Sequence, residues 1–442
     1  MTNDRSFFRS VMSLAVPVAL QSMLQSSFSI VDQIMIGQLG EVSIAGVGLA
    51  GKFSSIFTVV ASAVGAVAGI MLAQYLGQKN AREVRRSFFL NLFLALGVAA
   101  GFTALCALLP VQVMGLYSTD EATVQAAAEY LRVISATFLP LAGATLLSAL
   151  LRCVERPRLP LYASIVSALL NTGVNYILIF GKCGFAPMGA RGAAIATVLS
   201  QWANLAIMLA LLPRGVLPKK EDGRVPFARG QYLAMLLPIL VCEVLWSLGE
   251  NVYAAIYGHM GTDASAAMTL TNPVQGLVIG ALCGLSQAAG VIVGKLLGQG
   301  KDEEAYAAAK KLLWYGLAGA ALLSALVVLG SGLYVRIYQV DESVRRLTRQ
   351  ILTAYALVSP CKVLNMILGG GVLRSGGQTK YIMVIDAVGT WCFGVPLGLL
   401  TAFVLGWSIP YVYFTLSLEE CVRLGLSLVA LRRRKWMHVL HA

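Results

Sequence analysis

The chain has 442 residues, of which 57% are hydrophobic and 12% charged, with a mean hydropathy of +0.75. Soluble domains carry about 25% charged residues, so a water-exposed globule is excluded and a bilayer is the expected solvent. The net charge of +13 would suit nucleic acid in a soluble chain, but these basic residues gather in short segments between apolar runs. An anionic cytoplasmic leaflet holds such segments, and no nucleic-acid partner is expected.

The first residues, M-T-N-D-R-S-F-F-R, carry no cleavable signal pattern. Twelve segments are then long and apolar enough to span: 10–37, 44–75, 88–110, 124–151, 160–181, 189–213, 231–258, 265–296, 311–334, 346–373, 380–404 and 408–431. The predicted fold is an all-α integral membrane protein of twelve helices. With a cytoplasmic N-terminus, 24 of the 34 Lys and Arg residues fall on the inner side and six on the outer. That bias predicts both termini inside.

In span 1, helical spacing places Ser22, Gln25, Ser29 and Asp32 on one stripe. A charge at the centre of a membrane helix costs about 2.5–3.5 kcal/mol on insertion scales, so Asp32 must face the bundle or a wet cavity. The competing reading is a buried hydrogen-bond cluster that ties helices together. Span 5 offers Asn171 and Asn175 at i, i+4, placed to meet Asp32 or only to bridge helices.

The chain repeats. Shifted by 221 residues, 17–80 falls on 238–301 without a gap, with 13 identities in 64 positions. Pro17 meets Pro238, Gly37 and Gly40 meet Gly258 and Gly261, and L76-G77-Q78 meets L297-G298-Q299. Six spans per repeat insert both halves the same way, which predicts two six-helix lobes related by a pseudo-twofold along the membrane normal. The predicted division is 1–213, a cytoplasmic linker at 214–230, and 231–442.

The shift sends the polar stripe of span 1 to Glu243, Trp246, Glu250 and Tyr253 in span 7, and Tyr257 continues it. Acids beside aromatic rings suit a cationic or planar ligand; ordinary bundle packing is the alternative for the rings. Span 10 carries Lys362 and Asn365. Lys362 is too central to snorkel and is expected to pair with an acid, Glu243 being the candidate. Asp386 in span 11 is expected at a cytoplasmic vestibule, and Glu419, Glu420 and Arg423 in span 12 to pair among themselves as structure. The eight cysteines form no C-x-x-C pair and read as small buried hydrophobes. No hydrolase or metalloprotease motif occurs, so an enzyme is not expected.

These residues carry a resemblance. The chain resembles the multidrug and toxic compound extrusion (MATE) family, bacterial type, over essentially its whole length. The marks are L14-A-V-P17, V31-D32-Q-I-M-I-G37-Q-L-G40, A73-Q-Y-L-G77-Q78, N175-Y-I-L-I-F-G181, G189-A-R-G-A-A-I-A-T197, L373-R-S-G-G-Q-T379 and D386-A-V-G-T-W391. The resemblance implies a monomeric antiporter in the bacterial cytoplasmic membrane. It would export small organic compounds, cationic or amphipathic, against protons or sodium ions by alternating access, without a cofactor. Asp32 matches the family's acid on the first helix, and Asn171 and Asn175 its polar neighbours. One group of relatives has an aspartate near Asn175, where this chain has N-Y. Sodium-coupled relatives use acids on helices 7 and 10; Glu243 or Glu250 matches the first, but Lys362 stands at the second. Protons are therefore the preferred coupling ion, with a sodium ion at Asp32 or Glu243 as the alternative. A lipid-linked oligosaccharide flippase of a related superfamily is the rival reading, and it would favour a strongly cationic cavity.

Overall fold

The computed structural model describes residues 4–217 and 229–440. The predicted linker falls largely on 218–228, outside the described residues. Among the described residues the chain is helical and has no strand. Eleven helices among the described residues are long and apolar enough to cross a membrane: α1 Asp4–Ile36, α2 Glu41–Gly77, α3 Ala81–Leu108, α4 Glu121–Cys153, α5 Arg158–Phe180, α6 Ala190–Ala210, α7 Arg229–His259, α8 Thr262–Gly298, α9 Asp302–Arg336, α10 Glu342–Ser375 and α11 Lys380–Val404. The twelfth, α12, comprises Ile409–Ser417 and Glu419–Arg433 on either side of Leu418. Glu419, Glu420 and Arg423 make it less apolar than the rest, and a short helix Pro110–Gly115 precedes α4.

Local chemistry sets the helix ends. Asn80 caps α3, its side chain accepting from the Glu83 amide at 3.2 Å, and Asp120 caps α4 by accepting from the Thr123 amide at 3.1 Å. The Thr123 hydroxyl, donating to the same carboxylate, and the Thr123 amide together hold Asp120 below the usual carboxylate range. α5 stops at Gly181, which turns left-handed at φ 69°.

The repeat is present in the backbone. α2 and α8 are both 37 residues long, with both ends displaced by 221, and α3 and α9 begin 221 residues apart. Gly40 and Gly261 both take positive φ, 93° and 122°, and so do Lys79 and Gly300, 57° and 70°. The punctuating residues recur because the turns they make recur.

The chain forms two compact units. One comprises Leu20–Leu72 and Asn80–Arg224; the other comprises Met1–Ala19, Ala73–Lys79 and Val225–Ala442. In the second unit the last turns of α2 and α8 meet reciprocally. Gly77 lies against the backbone of Lys295, and Gly298 lies against the backbone of Gln74. These partners are again 221 residues apart, so the crossing is self-complementary, as at a twofold interface. A side chain at either glycine would run into backbone, which no rotamer change relieves. Gly298→Val is expected to destabilise by at least the ~1–3 kcal/mol of ordinary overpacking, read as a lower thermal unfolding midpoint in detergent.

Two of the sequence marks meet here. Gln74 donates from Nε2 to the carbonyls of Ser375 at 2.6 Å and His438 at 3.0 Å, and its Oε1 accepts from the Leu440 amide at 2.7 Å. Gln78 reaches the Leu440 carbonyl at 2.8 Å. Gly376 and Gly377 leave the room in which Trp436 and Leu440 pack, and both of those side chains are buried.

Candidate functional site

Polar groups gather at one place in each unit. In the first unit, α5 presents Ser164, Ser167, Asn171 and Asn175 at helical spacing, and all four are buried. Gln21 of α1 donates to Ser164 Oγ at 2.9 Å, and Ser167 donates to the Ser200 carbonyl of α6 at 2.8 Å. Three turns along α1 from Gln21, half-buried Asp32 accepts from both amides. Asn171 Nδ2 lies 2.7 Å from Oδ2, and Asn175 Nδ2 lies 2.8 Å from Oδ1. Asp32 has no basic partner among the described residues, so two neutral donors alone hold it. Asn175 Oδ1 is buried without a hydrogen-bond partner. Gln25, on the predicted stripe, is exposed.

In the second unit, charges link α7, α10, α11 and α12. Arg374 reaches Glu243 at 3.5 Å and Cys242 Sγ at 3.8 Å. The Cys242 thiol donates to Asp386 Oδ2 at 2.7 Å. Arg423 donates to Asp386 Oδ1 from Nη2 at 2.5 Å and from Nε at 3.1 Å, and its Nη1 lies 3.4 Å from both Glu420 oxygens. Asn365 Nδ2 completes Glu420 at 2.8 Å. Beside this chain, the Tyr253 hydroxyl donates to Glu419 Oε2 at 2.5 Å.

Backbone geometry makes room for these groups. Residues Val388–Gly394 of α11 are π-helical, a local widening often found at functional sites. Its two glycines face the charges: Gly389 lies against the Arg423 stem, and Gly394 lies against the Tyr253 hydroxyl and Glu419.

A cavity of about 220 Å³ adjoins the network, lined by Glu250, Tyr253, Tyr257, Tyr355, Lys362, Tyr413, Glu419 and Glu420 among others.

The MatE family model matches residues 17–177 and 238–400, two copies that begin at Pro17 and Pro238. The chain belongs to the MATE family. It is 24% identical over 432 residues to a probable multidrug resistance protein NorM of Thermotoga maritima, covering 97% of this chain and 93% of that protein. It is 21% identical to the uncharacterized transporter YisQ of Bacillus subtilis, covering 98% and 96%. In fold it is similar to the Vibrio cholerae MATE transporter VcmN, with TM-score 0.90 at 16% identity, covering 99% of this chain and all of that one. A MOP superfamily transporter from Pyrococcus furiosus gives TM-score 0.85 at 16% identity, covering 96% and 95%. The protein is thus a multi-pass MATE transporter with the family's twelve-helix fold.

Within this MATE fold the predicted residues separate. Asp32, Asn171 and Asn175 come together. Glu250, Tyr253 and Lys362 share the cavity. Glu243 does not meet Lys362; it pairs with Arg374, which lies twelve residues further along the same helix as Lys362. Trp246 is 51% exposed and does not line the cavity. Asn365 serves Glu420. Asp386 is held by Arg423 and not left to a vestibule. Cys242 works as a thiol donor, and Cys183, Cys392 and Cys421 are exposed, against the reading of all cysteines as buried fillers. Arg423 does pair with Glu420, as its spacing predicts. Glu419 and Glu420, whose spacing predicts structural pairing with Arg423, both line the cavity. Their signal was present: two adjacent acids in the middle of a membrane helix are costly.

Proposed function

We propose that this MATE transporter is a secondary active antiporter. It exports small organic compounds, cationic or amphipathic, in exchange for protons by alternating access, and Asp32 is the coupling group. The observation that carries the reading is the setting of Asp32: both carboxylate oxygens face amide N–H donors, and no fixed cation among the described residues neutralises the charge. A sodium ion would need amide oxygens there. A proton needs one acceptor, and the unpartnered Asn175 Oδ1 becomes one when the amide turns. Protonation then exchanges two charge-assisted bonds for weaker neutral ones, which changes how α1 packs on α5. A ligand shifts a conformational equilibrium only through such differential contacts.

Glu243 is the poorer sodium site, because a cation there must displace the Arg374 guanidinium. The name of the Thermotoga maritima relative, a probable multidrug resistance protein, supports export of organic compounds. The flippase reading is not favoured, since the cavity has three acids to one lysine. The 24-to-6 distribution of basic residues supports both termini in the cytoplasm, the NorM relatives support a bacterial cytoplasmic membrane, and two fused repeats are consistent with a working monomer. One proton moving down 100 mV supplies about 2.3 kcal/mol when the exported compound is neutral; a singly charged cation leaves against the same potential, and the pH difference alone then drives its exchange.

Wild-type proteoliposomes loaded with a fluorescent organic cation test this. Efflux is expected under an imposed proton gradient and not under a sodium gradient alone. Sodium-driven efflux without a proton gradient would overturn the assignment of the ion.

A further inference from the structure

The cavity of the second unit holds one carboxylate and one ammonium that are not committed to protein partners. Glu419 accepts the Tyr253 hydroxyl, and Glu420 is taken by Asn365 and Arg423. Glu250 and Lys362, by contrast, have neither a hydrogen bond nor an ion pair among the described residues, although Lys362 feels the charge of Glu420 first and then of Glu250 and Glu419 across the cavity. The Glu250 and Lys362 side chains do not close the gap between them. Lys362 is half-buried and Glu250 is exposed where it lines the cavity, so the lysine is the costlier of the two to leave unpaired in a membrane bundle. Each becomes favourable when a ligand supplies the opposite sign.

The surroundings limit that ligand. Tyr253, Tyr257, Tyr355 and Tyr413 line the same space, and the Tyr257 and Tyr413 rings lie 6.3 Å apart. Aromatic faces accept an ammonium or a flat apolar body. The volume of about 220 Å³ falls below the roughly 300–1,000 Å³ of sites for drug-sized ligands. A metal ion or a simple organic cation would meet the Lys362 ammonium. A simple anion would meet Glu250 with Glu419 and Glu420 beside it.

The geometry points to a binding site for a small zwitterion of amino-acid size with an aromatic body, its ammonium on Glu250 and its carboxylate on Lys362. This rests on the transport reading only in calling the ligand a substrate, because binding needs no gradient.

Calorimetry on the full-length protein in nanodiscs tests it with three probes of one skeleton: L-tyrosine, tyramine and 3-(4-hydroxyphenyl)propionate. Wild type is expected to bind L-tyrosine about tenfold or more tightly than either singly charged analogue. Lys362→Met should erase the preference over tyramine and keep that over the acid; Glu250→Gln should do the reverse. Tyramine or the acid binding wild type as tightly as L-tyrosine, or none of the three binding, would overturn the proposal. So would variants that keep the wild-type order of affinities. Zwitterion selectivity that stands while gradient-driven efflux fails would take down the transport reading and leave this site in place.

Discussion

Arg423→Met is expected to be the most damaging single substitution for stability. Arg423 binds Asp386 through two donors and Glu420 through a third, and its side chain is 15% exposed. Removing it leaves the Asp386 and Glu420 carboxylates without their shared cation, with Cys242 and Asn365 as their remaining hydrogen-bond donors among the described residues. Breaking a buried ion pair from one side costs about 3–5 kcal/mol, whereas replacing the whole group by neutral residues is often tolerated. The triple variant Arg423→Met, Asp386→Asn, Glu420→Gln should therefore recover most of the loss. Thermal unfolding in one detergent reads both. A single variant as stable as wild type would mean that the charges are already neutral or wet.

Asp32→Asn is expected to act on transport and not on the fold. Proton-driven efflux should fall to the level of empty liposomes, because an amide cannot change charge. Stability should hold. The substitution removes a membrane carboxylate costing about 2.5–3.5 kcal/mol. It also turns one of the two bonds to Asn171 and Asn175 into a clash of donors, a loss of about 1–3 kcal/mol. The two figures are of similar size and opposite sign, so the unfolding midpoint should stay close to wild type. A variant that loses efflux and also unfolds early would show that Asp32 serves as glue between α1 and α5.

Some of this was legible in the sequence. Long apolar windows mark membrane helices directly, because the bilayer demands about twenty such residues. The repeat was legible through Pro17, Gly40 and Gly77 and their partners, since turns and close crossings admit few residue types. The Asp32 cluster was legible because Asn171 and Asn175 share a face by spacing and an intramembrane acid must find donors. The second unit was harder. Which acid meets which base depends on the relative rotation of α7, α10 and α12, and spacing within a helix does not encode that. Glu243 and Lys362 are the conspicuous charges of spans 7 and 10, but it is Arg374 that reaches Glu243. Glu419, Glu420 and Arg423 looked self-sufficient at i, i+3 and i, i+4, which hid their places on the cavity and beside Asp386. Trp246 keeps the spacing of the stripe but does not line the cavity. The π-helical turn at Val388–Gly394 has no sequence signature beyond its two glycines.

The most direct measurement follows protons. Proteoliposomes holding a pH indicator would be given an outward gradient of organic cation at zero imposed pH difference. Wild type should carry protons inward as the cation leaves, and Asp32→Asn should carry none. Proton uptake by Asp32→Asn at the wild-type rate would contradict the account and place the coupling group elsewhere in the chain.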